Sequence, residues 1–361
     1  MPSCDANHAV SRVTDRVDVH LLARWPRRLR TWLRIAAEVI ATGGLVAFAW
    51  FDRGVIVQSV TVLKRADWNW LILAVALQWL SMLGFGRTQL TLLRAAGVRV
   101  SIPSMVATTF AGNAISVSLP LIGPGVGTAF AFGRFRQVAG DATSAGSTLL
   151  ISGLISNLVW AVLLATGAVV SGIPAATVPG LLGGGAILVA TVIALLALRR
   201  QRLRDFVTRE VIRLVQLVQR LTGRPVGDAG ALTNTVVNRL TTFRMSPRRW
   251  VQTVGYSFLN WLASVGCLVA AISTVGANVP WTKVLLVYCA GAAASSFNLT
   301  PGGLGVVEAV LAGGLAAAGM KSSAALGSVI IFRLLSFWLP IFVGWTIYAR
   351  LRQHNRRDMR R

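Results

Sequence analysis

Two ionisable residues, Glu308 and Arg333, lie deep in apolar sequence in the last third of the chain. Lys321 marks the turn between their helices, 13 residues after Glu308 and 12 residues before Arg333. With a helical rise of about 1.5 Å per residue, both side chains lie about 18–20 Å from that turn, at the same depth on neighbouring antiparallel helices. A charge inside a bilayer costs ~2.5–3.5 kcal/mol on insertion scales, which favours pairing. The spacing therefore predicts an ion pair between Glu308 and Arg333.

Two roles remain open for this pair. In the structural role, it clamps a hairpin to the last membrane span. In the functional role, the pair is exchangeable: Arg333 leaves Glu308 to bind a lipid phosphate, and Glu308 faces a cationic headgroup or counters Arg333. The positions 178 residues earlier are Phe130 and Ile155, so both charges are absent together there. This joint absence supports pairing and predicts that any charged site is asymmetric.

The chain also has two apolar regions, 103–140 and 282–320, that proline and glycine interrupt in the middle. In a helix interior, proline costs ~3 kcal/mol and glycine ~1 kcal/mol relative to alanine. We therefore predict that each region forms two short helices meeting at a break, as a re-entrant hairpin. Non-helical backbone at membrane depth persists only when it is buried in protein or lines a wet cavity. The breaks are thus candidate binding elements, and their candidate residues are Asn113, Pro124, Gly125, Gly127, Asn298, Thr300, Pro301, Gly302, Gly303 and Gly305.

The glycines in these breaks have more than one interpretation. Gly302, Gly303 and Gly305 can expose amides at a helix start, whose positive end suits a lipid phosphate. Asn113, Asn298 and Thr300 are polar groups that can cap such ends or contact a headgroup. Tight helix packing is the simpler alternative. A nucleotide-binding loop is disfavoured, because no strand precedes the Gly123–Gly127 segment.

Composition defines the class of protein that must position these residues. The chain has 361 residues, of which 54 % are hydrophobic and 13 % charged, with a mean hydropathy of +0.64. A soluble domain carries roughly a quarter charged residues. The net charge of +24 is spread around long apolar runs, so it does not indicate a nucleic-acid partner. No CxxC spacing occurs and all three histidines lie in the charged tails, so we expect no metal and no cofactor. We predict an all-α polytopic membrane protein.

The positions of the basic residues predict its orientation. Of the 36 Lys and Arg residues, 25 lie within the first 34 residues, between Arg199 and Arg249, or after Tyr348. The positive-inside rule places all three regions in the cytoplasm, with both termini, at the inner membrane of a bacterial cell. About six full spans satisfy this arrangement, and the apolar runs predicted to form them are 33–52, 69–93, 147–172, 178–198, 249–276 and 323–349.

An internal repeat relates the two broken regions. Setting Gly127 against Gly305, an offset of 178, also aligns Trp160 with Trp338. Unit one covers 69–172 and unit two 249–349, and the odd number of crossings between them predicts opposite orientations. Such inverted repeats with broken helices are typical of transporters.

These elements divide the chain into five parts. A basic cytoplasmic tail, 1–32, precedes a first transmembrane half, 33–198. The second transmembrane half, 249–349, follows a basic linker, 199–248, and a short tail, 350–361, ends the sequence. The linker has apolar residues at helical spacing among arginines. It is predicted to form amphipathic helices, either on anionic lipids of the inner leaflet or on the protein's own cytoplasmic face.

Two motifs carry a resemblance to a known family. They are Thr300-Pro-Gly-Gly-Leu-Gly-Val-Val-Glu308 and, further on, Phe332-Arg-Leu-Leu-Ser-Phe-Trp-Leu-Pro340. The sequence resembles the transmembrane domain of bacterial lysylphosphatidylglycerol synthase/flippase proteins (MprF type), over roughly 35–350. The resemblance implies a lipid-translocating membrane domain. The chain stops at Arg361, so we expect a free-standing member without the aminoacyl-transfer domain, and not an enzyme. Gly127 is followed by Thr128 where relatives often have Gly-Glu, so no headgroup preference is carried over.

The sequence thus predicts a protein that binds, and flips between leaflets, a polar-headed phospholipid or related lipid. An alternative is a membrane scaffold or accessory subunit that presents lipid to a separate lipid-modifying enzyme. A lipid-linked glycosyltransferase is disfavoured, because the acidic residues at the cytoplasmic edge form no DxD-type cluster.

Overall fold

The computed structural model describes residues 67–119, 122–140, 142–199, 245–296 and 300–358, and every regular element in these ranges is a helix. The predicted span 33–52, the tail 1–32 and nearly all of the linker 199–248 lie outside the described residues. The helices are α1 (Trp68–Ala95), α2 (Ile102–Ser118), α3 (Gly123–Ala139), α4 (Ala142–Val170), α5 (Pro174–Arg199), α6 (Pro247–Thr274), α7 (Trp281–Ser296), α8 (Val306–Ala317), α9 (Ser322–Arg333) and α10 (Leu339–Asp358). A 3-10 turn covers Pro301–Gly303, and a π-helical segment, Leu334–Trp338, joins α9 to α10.

The long helices α1 and α6 pack against each other at the centre of the fold. The Asp67 side chain caps α1 by accepting a hydrogen bond from the Asn69 amide at 2.9 Å. Gly84 allows a close approach, because a Cβ there would lie 2.9 Å from the backbone nitrogen of Asn260. The Asp67 amide donates to the Thr274 carbonyl at 3.2 Å, so the start of α1 meets the end of α6. The two helices therefore run antiparallel.

Both proline- and glycine-broken regions form two helices that pack on each other, α2 with α3 and α7 with α8. In the first region the break lies earlier than the glycines suggested. Gly123 begins α3 and Pro124 lies in its first turn, where proline fits because the first amides lack helical partners. In the second region the break ends at Gly305, whose φ of +83° precedes the first residue of α8.

Four described helices are long and apolar enough to cross a membrane: Trp68–Ala95, Ser144–Val170, Pro247–Thr274 and Ser322–Leu351. They correspond to four of the predicted spans. The predicted span 178–198 lies within α5, whose short apolar stretch is Gly180–Thr191. Many large apolar side chains on the outside of the fold are exposed, among them Leu182, Val251 and Phe342. So many exposed large apolar side chains are typical of a protein solvated by lipid. The described part of the chain is all-helical, and the protein is a multi-pass membrane protein.

Candidate functional site

A cavity of about 450 Å³ lies where the two broken hairpins meet the central helices. Its volume is within the range of small-molecule and cofactor sites. Asn113 and Pro124 of the first hairpin line it, and so do Gly302 and Arg333 on the other side. The remaining polar groups are amides, hydroxyls and an indole N–H from five helices and the π-helical segment: Gln78, Ser81, Ser116, Ser156, Asn260, Trp261, Ser264, Tyr288, Ser295, Ser296 and Ser336. Among the described residues that line the cavity, Arg333 alone carries a formal charge.

Arg333 and Glu308 form the predicted ion pair, with Arg333 Nε 2.6 Å from Glu308 Oε1. Both side chains are largely buried, with 11 % and 23 % of their surface exposed. Lys321 precedes α9, as the spacing predicted. Removing one partner from a buried ion pair leaves the other charge buried and unpaired, which is destabilising. Each of the two side chains is therefore needed to keep the other in place. Glu308 itself does not line the cavity, which leaves the guanidinium as the charged group on the cavity wall.

Further contacts hold the guanidinium in place. Arg333 Nη2 donates to the Gly302 carbonyl at 2.8 Å, which ties the last span to the break of the second hairpin. The guanidinium carbon lies 4.5 Å from the centre of the Phe337 ring, in cation–π geometry. Phe337 belongs to the π-helical segment that follows Arg333, and π-helical turns are frequent at functional sites. The sequence analysis missed this segment, because Leu334–Trp338 contains neither proline nor glycine.

Two glycine amides of the second break, those of Gly303 and Gly305, are engaged within the protein. The Gly303 amide donates to the Thr300 carbonyl at 2.9 Å. The Gly305 amide donates to Glu308 Oε2 at 2.7 Å, so Glu308 caps its own helix. Thr300 Oγ1 donates to the Leu304 carbonyl at 2.8 Å. The hypothesis that the Gly303 and Gly305 amides are exposed to a phosphate is therefore wrong. Positive φ angles at Gly302, Gly303 and Gly305 give this turn its shape.

The glycines of the first break serve packing. A Cβ at Gly127 would lie 2.7 Å from the Gly112 carbonyl oxygen, so Gly127 allows α2 and α3 to approach each other. This contact supports the packing interpretation of Gly127. Gly125 is exposed, and a Cβ there would meet nothing within 4 Å. The structure thus brings Asn113, Pro124, Gly302 and Arg333 to one cavity. Thr300, Gly303, Gly305, Gly125 and Gly127 are not among the residues that line it. Pro301 begins the 3-10 turn of the second break, and Asn298 lies outside the described residues.

Sequence reasoning missed several polar residues that line the cavity. Ser81 Oγ donates to Asn260 Oδ1 at 2.9 Å, across the contact between α1 and α6. Trp261 Nε1 donates to Ser156 Oγ at 3.1 Å. Gln78 is 3 % exposed, and its Oε1 accepts no hydrogen bond from the described residues. Isolated serines and amides in apolar spans carry no spacing signal, so only the folded structure identifies them.

Comparison with known proteins gives two matches. The model of the lysylphosphatidylglycerol synthase TM region family matches residues 32–344. A UPF0104 membrane protein of Pyrococcus horikoshii is 30 % identical over 106 residues, which are 29 % of this chain and 32 % of that relative. The aligned part is thus about a third of the relative's length. The family match includes both hairpins, the central helices and the Glu308–Arg333 pair. The chain belongs to the lysylphosphatidylglycerol synthase TM region family.

Proposed function

We propose that this protein binds a polar-headed lipid in the cavity between its two hairpins and moves that lipid between the leaflets of the bilayer. The observation that carries the proposal is the cavity wall. Among the described lining residues, one guanidinium stands beside many hydroxyls and amides, inside a fold whose outer surface is apolar. A polar headgroup needs such a path, because its charge is costly in hydrocarbon.

The proposal includes two repeats of opposite orientation, and the order of the helices supports them. Each set has a long helix, a hairpin of two shorter helices and a second long stretch: α1 to α4, then α6 to α10. Ser81 and Asn260, which are 179 positions apart, meet where α1 crosses α6. Asp67 and Thr274 lie equally far from that crossing and also meet. In an inverted repeat, a two-fold axis perpendicular to the two helices relates each residue of α1 to its equivalent on α6. Equivalent residues then meet only where the helices cross, as Ser81 and Asn260 nearly do.

A second pair of contacts supports the same symmetry. Gly167 on α4 approaches α7, where a Cβ would lie 2.9 Å from the Leu286 amide nitrogen. Gly344 on α10 approaches α2, where a Cβ would collide with the Phe110 carbonyl. Each hairpin thus packs on the long helix of the other repeat through a glycine, and these two glycines are 177 positions apart, within one residue of the repeat offset. Exchanging the conformations of two such repeats gives alternating access to a central site.

We further propose that both termini are cytoplasmic and that the protein lies in the cell membrane. Arg94, Arg99, Arg248 and Arg249 lie at one end of the antiparallel pair α1 and α6. Asp67 lies at the other end, near the start of α7. The positive-inside rule assigns the arginine-rich end to the cytoplasm.

The test is a leaflet-accessibility assay in proteoliposomes. Phosphatidylglycerol with a fluorescent acyl chain is bleached from outside by a membrane-impermeant reductant, and protein-dependent bleaching beyond the outer leaflet measures translocation. We expect Arg333→Ala to abolish this excess and Glu308→Gln to reduce it. Lys321→Gln is the matched control, because it removes an exposed cation next to α9 outside the cavity.

Each result of this assay supports or contradicts a stated part of the proposal. Translocation that survives both Arg333→Ala and Glu308→Gln overturns the site. Lipid binding without translocation by the wild-type protein overturns transport. That second result favours an accessory subunit that presents lipid to a separate lipid-modifying enzyme.

A further inference from the structure

Gln78 has a buried polar group that nothing in the described part of the protein satisfies. It lies near the middle of α1, is 3 % exposed, and lines the cavity that contains Arg333. Its Oε1 has no hydrogen-bond partner among the described residues. Burying a carbonyl oxygen without a donor is costly, so such groups normally find a partner in protein, water or ligand. Gln78 therefore offers an acceptor to whatever occupies the cavity.

Arg333 offers the complementary chemistry on the same cavity wall. A guanidinium has five N–H donors. One binds Glu308 Oε1 and another binds the Gly302 carbonyl, and among the described residues no hydrogen bond of the other three is seen. Guanidinium groups bind phosphate through two parallel hydrogen bonds. The cavity thus presents donors for an anion and, at Gln78, an acceptor for a neutral donor.

We propose that the cavity selects an anionic phosphodiester headgroup that also carries a hydroxyl, and that Gln78 accepts the hydrogen bond of that hydroxyl. This inference rests on the proposed function, because it names the class of lipid that the same cavity takes. A headgroup with an ammonium donor also matches Gln78, but it meets Arg333 without a carboxylate among the described lining residues. A headgroup of glycerol or sugar linked to phosphate matches both groups.

The test compares two lipids of equal charge. Phosphatidylglycerol has a phosphodiester and two hydroxyls, whereas phosphatidylethanol has the same charge and no hydroxyl. Binding of each to the purified full-length protein in detergent is measured by native mass spectrometry, without any transport step. We expect the wild-type protein to bind phosphatidylglycerol about tenfold more tightly, the factor that one buried hydrogen bond supplies.

Two glutamines on α1 provide the variant and its control. Gln78→Met keeps the volume and removes the acceptor, so we expect the two lipids to bind equally well. Gln89→Met changes a glutamine that is buried to a similar degree, 4 % exposed, but does not line the cavity, so the tenfold preference should remain. Gln78→Met should also leave the lipid-free protein as stable as wild type or more stable, because an unsatisfied buried group is lost. A merely structural glutamine would instead lower stability when replaced.

The outcomes separate this inference from the proposed function. A preference for phosphatidylglycerol that persists in Gln78→Met, or is absent in the wild type, overturns the inference even if the lipid is translocated. A preference that depends on Gln78 supports the inference even if the proteoliposome assay shows no translocation. Loss of the preference in Gln89→Met as well overturns the assignment to Gln78, because the effect then belongs to α1 generally.

Discussion

Replacing Gly302 by alanine tests how tightly the second hairpin break is built around Arg333. Gly302 has a φ of +59°, in the left-handed region that side chains disfavour. A Cβ there would also collide with the ring atoms of Phe337. Phe337 is 5 % exposed and its ring supports the Arg333 guanidinium, so it has little room to move. Gly302→Ala therefore adds a backbone penalty and a packing penalty at one position.

The magnitude follows from these two penalties. A left-handed conformation costs a non-glycine residue roughly 1–2 kcal/mol. Overpacking a well-filled interior costs roughly 1–3 kcal/mol. We therefore expect Gly302→Ala to lower the free energy of unfolding by about 2–5 kcal/mol. Displacement of the Phe337 ring should also shift Arg333 and weaken phosphatidylglycerol binding.

Alanine substitutions at two other glycines separate the backbone penalty of Gly302→Ala from its packing penalty. Gly305 has a φ of +83° and a ψ of −50°, a strained conformation that alanine rarely adopts, but a Cβ there would meet nothing within 4 Å. Gly305→Ala should therefore cost a backbone penalty alone, of roughly 1–3 kcal/mol. Gly125 lies in α3 without a positive φ and also has open space around it. Gly125→Ala should be neutral or should stabilise the protein by up to roughly 1 kcal/mol, since alanine favours the helix.

Unfolding by sodium dodecyl sulfate in mixed micelles, followed by tryptophan fluorescence, measures these differences. The expected order of stability is Gly125→Ala, then Gly305→Ala, then Gly302→Ala. A loss of only about 1–2 kcal/mol in Gly302→Ala, which is the backbone penalty alone, would refute the packing of Gly302 on Phe337. A Gly302→Ala protein that keeps wild-type stability would refute both penalties.

Two further predictions concern the ion pair and the topology. In a double-mutant cycle of Glu308→Gln and Arg333→Ala, the unfolding free energies should show a coupling energy of roughly 1–3 kcal/mol. The reason is that each single change leaves a buried charged side chain without its partner. Losses that are simply additive would contradict a coupled pair. In a Cys4→Ser background, where Cys267 and Cys289 are buried, Arg99→Cys and Lys321→Cys should react with a membrane-impermeant maleimide from opposite faces of oriented vesicles. Labelling of both from one face contradicts the proposed orientation.

The ion pair could be predicted from the sequence because two strong constraints act on it. The cost of an isolated charge requires a partner, and the helical rise limits which residues share one depth. Glu308 and Arg333 satisfy both constraints, and their side chains meet at 2.6 Å. The broken helices were predictable for a similar reason, since proline and glycine act on the backbone locally. The first break lies a few residues earlier than its glycines suggested, because Pro124 is acceptable in the first turn of α3.

The details of the cavity were not predictable, because they depend on which atoms face one another after packing. Gln78 and Gln89 are both buried glutamines on α1, yet only Gln78 lines the cavity. The sequence contains nothing that separates them. The prediction for the Gly303 and Gly305 amides failed because the Thr300 carbonyl and the Glu308 carboxylate accept their hydrogen bonds. A string of glycines indicates freedom of the backbone and does not indicate which partner each amide finds.

Because the Gly303 and Gly305 amides already donate hydrogen bonds within the protein, an anion must be recognised by side chains of the cavity. At a helix start with free amides, a phosphate is held by the backbone, and side chains contribute little. Here the Gly305 amide binds Glu308, and Glu308 binds Arg333, so the positive end of α8 is already occupied by a carboxylate. The guanidinium is thereby fixed from one side and keeps donors for the cavity. Glu308 is thus a positioning residue in the proposed mechanism, acting through the orientation of Arg333. The three glycines with positive φ matter because they shape the turn at which Arg333 binds both the Glu308 carboxylate and the Gly302 carbonyl.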